Sequence, residues 1–170
     1  YENGGIPDET CQIYEAKGHD TGKTCNAIDI CRRCDYADNN NNAVCKARKK
    51  YKKWQISSHG FVNGTVAMMN EIYNNGPIAC AVAEVPDLMH YKGGIIHDTT
   101  GRTSLDHAIS IVGWGEENGI KYWIVRNQWG TWWGEQGYAR VVRGINNIGI
   151  ESDCAWAIPI PTPITEIYTA

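Results

Sequence analysis

The 170-residue chain is long enough for one full domain or two small lobes around a buried core, and 16 basic against 19 acidic residues leave a formal net charge of −3. That balance gives no sign of a nucleic-acid partner. The longest apolar runs, such as residues 108–112, fall far short of the roughly 20 residues that cross a bilayer, which excludes a membrane-spanning helix and makes a soluble chain the expectation.

The chain opens Tyr1-Glu2-Asn3-Gly4, without an initiating methionine or an apolar leader, and so reads as a processed product or a fragment. Residues 1–53 are polar and hold five of the seven cysteines, Cys11, Cys25, Cys31, Cys34 and Cys45, a density that favours an oxidising compartment and a disulfide framework. Seven being odd, one thiol is either free or bonded outside the chain. The stretch DYADNNNN, residues 35–42, cannot bury enough surface to fold alone and is expected as an exposed loop in a loop-rich half. The basic run KARKKYKK, residues 46–53, is expected as a solvated strand or loop face rather than a heparin or processing site.

Over residues 64–75, Val66, Met69, Ile72 and Tyr73 recur at helical spacing and Asn75-Gly76-Pro77 is a strong stop, predicting a short amphipathic helix. Asn63-Gly64-Thr65 at its start is a glycosylation acceptor triplet, and Asn63 is also placed to cap the helix; an exposed helix start accommodates both roles. Beyond Pro77 the pattern changes to short runs separated by glycines, at 78–85, 108–112, 121–126 and 138–142. Their Ile, Val, Tyr and Trp content predicts an antiparallel sheet or barrel. The tail PIPTPITEIYTA is proline-punctuated and expected to be irregular.

His107 heads one of these runs, and Asn127 ends the next. Between them lies EENG, residues 116–119, whose Asn-Gly pair is the strongest short signal for a tight hairpin. A turn centred there sets His107 across from roughly position 127 to 130. That proximity has a chemical meaning, because an imidazole used as a base or ion-pair partner needs its other nitrogen held by a hydrogen bond. An asparagine oxygen supplies that bond without charge, and the indole of Trp129, on the same strand face, is placed to cover it. The bland alternative is a core histidine with an incidental neighbour.

RNQWGTWWGEQGY, residues 126–138, together with DHAISIVGWG, residues 106–115, resembles the C-terminal lobe of the papain-like cysteine peptidases, whose pattern is Asn-Ser-Trp-Gly, then Trp-Gly, then Gly-Tyr. Asn127, Trp129, Gly130, Trp133, Gly134, Gly137, Tyr138 and the pair His107-Ala108 all match. YKGGI, residues 91–95, and NNGPI, residues 74–78, extend the likeness, and GIPDETC, residues 5–11, is similar to the cathepsin X (cathepsin Z) branch. Gln128 departs from the pattern by standing where serine is usual. IGIESDC, residues 148–154, is closer to the cathepsin B pattern, with Asp153 near an acidic residue that lines the S2 pocket there.

The resemblance implies an α+β, papain-like fold: residues 1–53 as the cysteine-rich end of the N-terminal lobe and the crossover, residues 54–170 as a C-terminal antiparallel β-barrel lobe carrying the His/Asn pair. It implies His107 as catalytic base, Asn127 as its orienting group, Trp129 as shield and primed-side wall, a peptide or protein substrate, no cofactor or metal, and a lysosomal or secreted location. It also implies disulfides Cys11 with Cys31, Cys34 with Cys45 and Cys80 with Cys154, leaving Cys25 for a partner in an N-terminal segment. The family's nucleophile sits in a Cys-Gly-Ser/Ala-Cys-Trp/Tyr setting roughly 130 to 150 residues before the His and Asn, so it is expected upstream of Tyr1. Cys11 and Cys25 have the wrong context, and this chain alone is expected to be inactive. Cathepsin X-like enzymes owe their carboxypeptidase preference to an insertion near the nucleophile, which would also lie upstream.

Three alternatives stand beside this reading. One is a peptidase-derived scaffold or binding protein without catalysis, and another a small disulfide-stapled binding or inhibitor module, which leaves residues 107–138 unexplained. The third, a zinc site at Cys25, Cys31, Cys34 and Cys45, rests on a single Cys-x-x-Cys. His19, His59, His90 and His97 have no family role.

Overall fold

The structure, a computed structural model, describes residues 4–11, 26–36 and 43–161. They belong to two compact units, residues 1–58 with 159–170 and residues 59–158. His19, Cys25 and the expected loop from residue 37 to 42 lie outside the described residues, as does the tail beyond residue 161.

In the first unit a short helix, α1 (Ala27–Ile30), starts at Asn26, whose side-chain oxygen accepts from the Ile28 and Asp29 N–H groups, both at 3.1 Å. It runs into an antiparallel pair, β1 (Arg32–Tyr36) and β2 (Ala43–Ala47). Asp35 and Tyr36, expected in the exposed loop, instead complete β1, because Cys34 and Cys45 face each other in the register and their disulfide pins the hairpin. A second bridge, Cys11–Cys31, fastens the preceding segment. Engagement of Cys31, Cys34 and Cys45 in disulfides removes three of the four ligands of the zinc alternative. In the basic run Lys46 is exposed on β2 and the Lys52 ammonium lies 4.4 Å from the centre of the Trp54 ring.

The large sheet has the order β3 (Ile56–Val62), β9 (Cys154–Pro159), β4 (Ile78–Val82), β6 (His107–Glu117), β7 (Ile120–Arg126), β8 (Tyr138–Val142), β5 (Ile95–Ile96). The characterised pairs are antiparallel except β5 with β8. The α+β class and antiparallel sheet agree with the resemblance, but the sheet is open: β3 and β5 end it without pairing to each other. Along β4 the alternating Ile78, Cys80 and Val82 point into the core, where they meet Ile111, Trp123 and Val141. Cys80 and Cys154 stand opposite each other on β4 and β9 and are joined. The run expected to continue to residue 85 leaves the strand at Val82, although Ala83 and Val85 stay buried. Pro159 closes β9, an ordered start to a tail expected to be irregular.

The expected helix is α2 (Thr65–Asn75), stopped at Gly76, whose N–H bonds the Ile72 carbonyl. Its buried face differs from the expected one. Met68 and Ile72, one turn apart, are buried, Met69 is half-buried, and Val66 and Tyr73 are exposed. Residues 66 and 73 share a row two turns long, but the row through 68 and 72 is the one turned to the sheet. Nor does Asn63 cap this helix: the N-cap is Gly64, at φ +79°, without a side-chain hydrogen bond.

Glu151 is a buried carboxylate at the foot of this unit. It accepts from Thr65 Oγ1 at 3.0 Å, Trp123 Nε1 at 2.9 Å and the backbone N–H groups of Gly144 and Asn146 at 2.7 and 3.3 Å. It thereby ties α2 and β7 to the turn that leads through Asn147–Gly149 into β9.

Candidate active site

The β6–β7 hairpin closes with Asn118 and Gly119 at φ +52° and +79°, a two-residue turn with Glu117 opposite Ile120. Its register slips by one at Val112, between Ile111 and Gly113, and the ladder ends at Ser110 opposite Arg126. Past that point two side-chain bridges continue it. His107 Nε2 lies 2.9 Å from Asn127 Oδ1, and Gln128 Nε2 donates to the Ala108 carbonyl at 2.8 Å. On its other side His107 pairs with Val82 of β4, so its backbone is set by one strand and its ring by another.

The protonation of the imidazole follows from this geometry. Asn127 Oδ1 also accepts the Gln128 backbone N–H at 2.9 Å. A backbone N–H only donates, so the Asn127 atom facing it is the oxygen, and the His107 nitrogen facing the same oxygen carries the hydrogen. In the neutral ring Nδ1 then holds the lone pair, and it has no hydrogen-bond partner among the described residues. Asn127 is 7 % exposed, and its own N–H donates to the Gly137 carbonyl at 3.0 Å. Its Nδ2 is buried without a partner among the described residues.

Trp129 stacks on His107 with centroids 4.8 Å apart and an interplanar angle of 30°. Trp133 meets Trp129 edge-on at 5.3 Å and is buried, its indole N–H donating to the carbonyls of Leu88 and Met89. The turn that carries these rings needs Gly134, at φ +58°: a Cβ there would fall 2.5 Å from the Tyr138 carbonyl oxygen.

Asp106 holds the entry to β6. Its carboxylate accepts the Glu84 N–H at 2.7 Å and pairs with Arg102, and its own N–H donates to the Val82 carbonyl. The Glu84 bond, with Arg102 adding to it, keeps the Asp106 carboxyl below its ordinary pKa. A folded-state value below the unfolded one gives stability that is present above the unfolded value and fades as pH falls through the folded one. Asp106→Asn is therefore expected to flatten the acid limb of Tm against pH below about pH 4. Thermal unfolding of both proteins across pH 2 to 7 checks this, parallel limbs being the contrary result.

Of the residues singled out from sequence, the structure brings together His107, Asn127 and Trp129, and joins Cys11–Cys31, Cys34–Cys45 and Cys80–Cys154. Asp153 is exposed, with no hydrogen bond or ion pair from its carboxylate to that group among the described residues, and Asn63 is exposed ahead of α2. Cys25 lies outside them. Sequence reading missed Asp106, although it sits directly before His107, and also the bridge made by Gln128 and the role of Glu151. All six described cysteines are in disulfides, so among the described residues no free thiol stands at His107.

The sequence matches the description "Papain family cysteine protease" over residues 1–158. It is 39% identical over 165 residues to a cathepsin Z of Onchocerca volvulus, covering 92% of this chain and 50% of that protein. With a cathepsin B-like cysteine proteinase 3 of Ostertagia ostertagi it shares 37% identity over 138 residues, covering 81% of this chain and 74% of the other. The chain thus spans about half the length of the first of these relatives. Among solved structures, the digestive procathepsin L 3 of Tenebrio molitor larval midgut superposes with a TM-score of 0.57 at 31% identity, over 66% of this chain and 41% of that one. This chain belongs to the papain family of cysteine proteases.

Proposed function

We propose that this chain is the C-terminal portion of a cathepsin X-like peptidase of carboxypeptidase type, hydrolysing peptide bonds by a Cys-His-Asn mechanism with the nucleophilic thiol on a segment outside these 170 residues. The observation that carries the reading is the Asn127 oxygen, fixed by the Gln128 N–H, which leaves His107 Nδ1 as the basic nitrogen. In the proposed cycle Nδ1 takes the thiol proton. The thiolate then attacks the scissile carbonyl, and Nδ1–H returns that proton to the departing amine as the acyl-thioenzyme forms. Water, deprotonated by Nδ1, cleaves the thioester and the thiol is regenerated. Asn127 holds the ring through each of these proton transfers, the last of which returns the water proton from Nδ1 to sulfur, and Trp129 keeps water off the His107–Asn127 bond.

Residues 54–170 supply the lobe that carries this pair. In the same reading Asp153 faces the substrate's S2 side, Asn63 accepts a glycan and Cys25 is bonded to the segment that bears the nucleophile, in a lysosomal or secreted enzyme. Non-reducing against reducing mass spectrometry of the native protein, with alkylation of reactive thiols, tests this. A peptide released from Cys25 on reduction, accompanied by one reactive thiol outside residues 1–170, supports it. A free Cys25 with no reactive thiol in the native protein contradicts it and leaves a non-catalytic scaffold.

A further inference from the structure

A cavity of about 550 Å³ is formed by the short helix α3 (Pro86–Met89), the strap of residues 90–93 that follows it, and β5. It lies wholly within the second unit, and none of His107, Asn127 and Trp129 lines it. Its apolar wall is firmly held. Tyr91 and Ile96 are buried and Ile95 is half-buried. The Tyr91 hydroxyl donates to the Gly94 carbonyl at 2.5 Å and accepts the Arg140 N–H at 3.3 Å, while its ring packs on Trp133 with centroids 5.6 Å apart.

Four charged or basic side chains share the cavity with this wall: Asp87, His90, Lys92 and His97, all exposed. Among the described residues their ionisable ends make a single bond, from His90 Nδ1 to the Pro86 carbonyl at 3.1 Å. A carbonyl only accepts, so Nδ1 carries the hydrogen and Nε2 is left open. The Asp87 carboxylate and the Lys92 ammonium thus line one cavity without bonding each other or another group among the described residues. The charges next to the strap behave differently, Glu135 and Arg140 bonding each other at 2.8 and 3.1 Å.

Opposite charges held apart over an apolar wall match a ligand that carries both charges on an apolar body. A simple anion would be repelled by Asp87 and a simple cation by Lys92. A peptide with both ends free answers each: its amino terminus bonds the carboxylate, its carboxyl terminus the ammonium, and its side chains cover Tyr91, Ile95 and Ile96. The open nitrogens of His90 and His97 add bonds for its carbonyl and carboxylate oxygens or its N–H. The volume lies within the range of small-molecule sites.

We propose that this cavity is a binding site for a short apolar peptide with both ends free, of dipeptide size. The site does not depend on the proposed reaction. Isothermal titration calorimetry of the native protein, with any reactive thiol first alkylated so that the probe is not consumed, tests it with leucyl-leucine, its N-acetyl form and its C-terminal amide. Wild type is expected to bind leucyl-leucine about three- to tenfold more tightly than either capped form. Asp87→Asn is expected to lose that factor for leucyl-leucine yet bind the acetylated form as wild type does, and Lys92→Gln to behave likewise toward the amide. Both side chains are exposed and unbonded among the described residues, so neither substitution is expected to move Tm. Equal binding of the three peptides, no binding, or variants that bind leucyl-leucine as wild type does overturns the inference. The expected pattern in a protein that holds no reactive thiol upholds it while the peptidase reading falls.

Discussion

Replacing His107 by alanine in the complete enzyme is expected to lower kcat/KM on a peptide substrate by about 10²- to 10⁴-fold with little change in Tm. The imidazole serves the proposed cycle at every proton transfer, so its loss removes the acceptor for the thiol proton and the donor to the amine together. Stability should change little because the ring is only partly buried and one of its two nitrogens is unbonded among the described residues. Steady-state kinetics and thermal unfolding of the same preparation check both halves. Undiminished turnover would remove His107 from the mechanism.

Glu151→Gln is expected to act on the fold. Four donors converge on the carboxylate, from Thr65, Trp123, Gly144 and Asn146. A glutamine offers them one oxygen and points an NH₂ group at those that remain. With Oε1 replaced, the NH₂ faces the fully buried Trp123 indole N–H and the Gly144 N–H, and with Oε2 replaced it faces the Asn146 N–H, so either orientation sets donor against donor. The carboxylate also restrains the turn in which Asn146 and Ile148 sit at φ +51° and +52°; for a β-branched residue that backbone is strained. Ile148 is buried, and its carbonyl accepts the Ala83 N–H beside β4, the strand that pairs with His107. We expect a loss of about 3 kcal/mol, or roughly 6 to 12 °C in Tm, measured by calorimetry. An unchanged Tm would show that the carboxylate does not hold the turn.

The central hairpin was legible in the sequence because its signals are local: Asn118-Gly119 fixes the turn and the turn fixes the register, which brings His107 to Asn127. The Val112 bulge was not legible, since one extra residue leaves the hydrophobic alternation on either side intact. Nor was the buried row of α2, because the sequence offers overlapping apolar rows and only the sheet selects Met68 with Ile72. Glu151 escaped notice because its partners at 65, 123, 144 and 146 converge only in the folded chain. The open sheet, too, depends on which edges meet, and strand patterning does not encode that.

The most direct measurement is the pH dependence of alkylation of the enzyme's reactive thiol by iodoacetamide, in wild type and in His107→Ala. A thiol paired with His107 should react rapidly well below pH of about 8.5, the ordinary thiol value, and lose that low-pH reactivity in the variant. Superimposable curves, or no reactive thiol in the native enzyme, would contradict a His107-activated nucleophile.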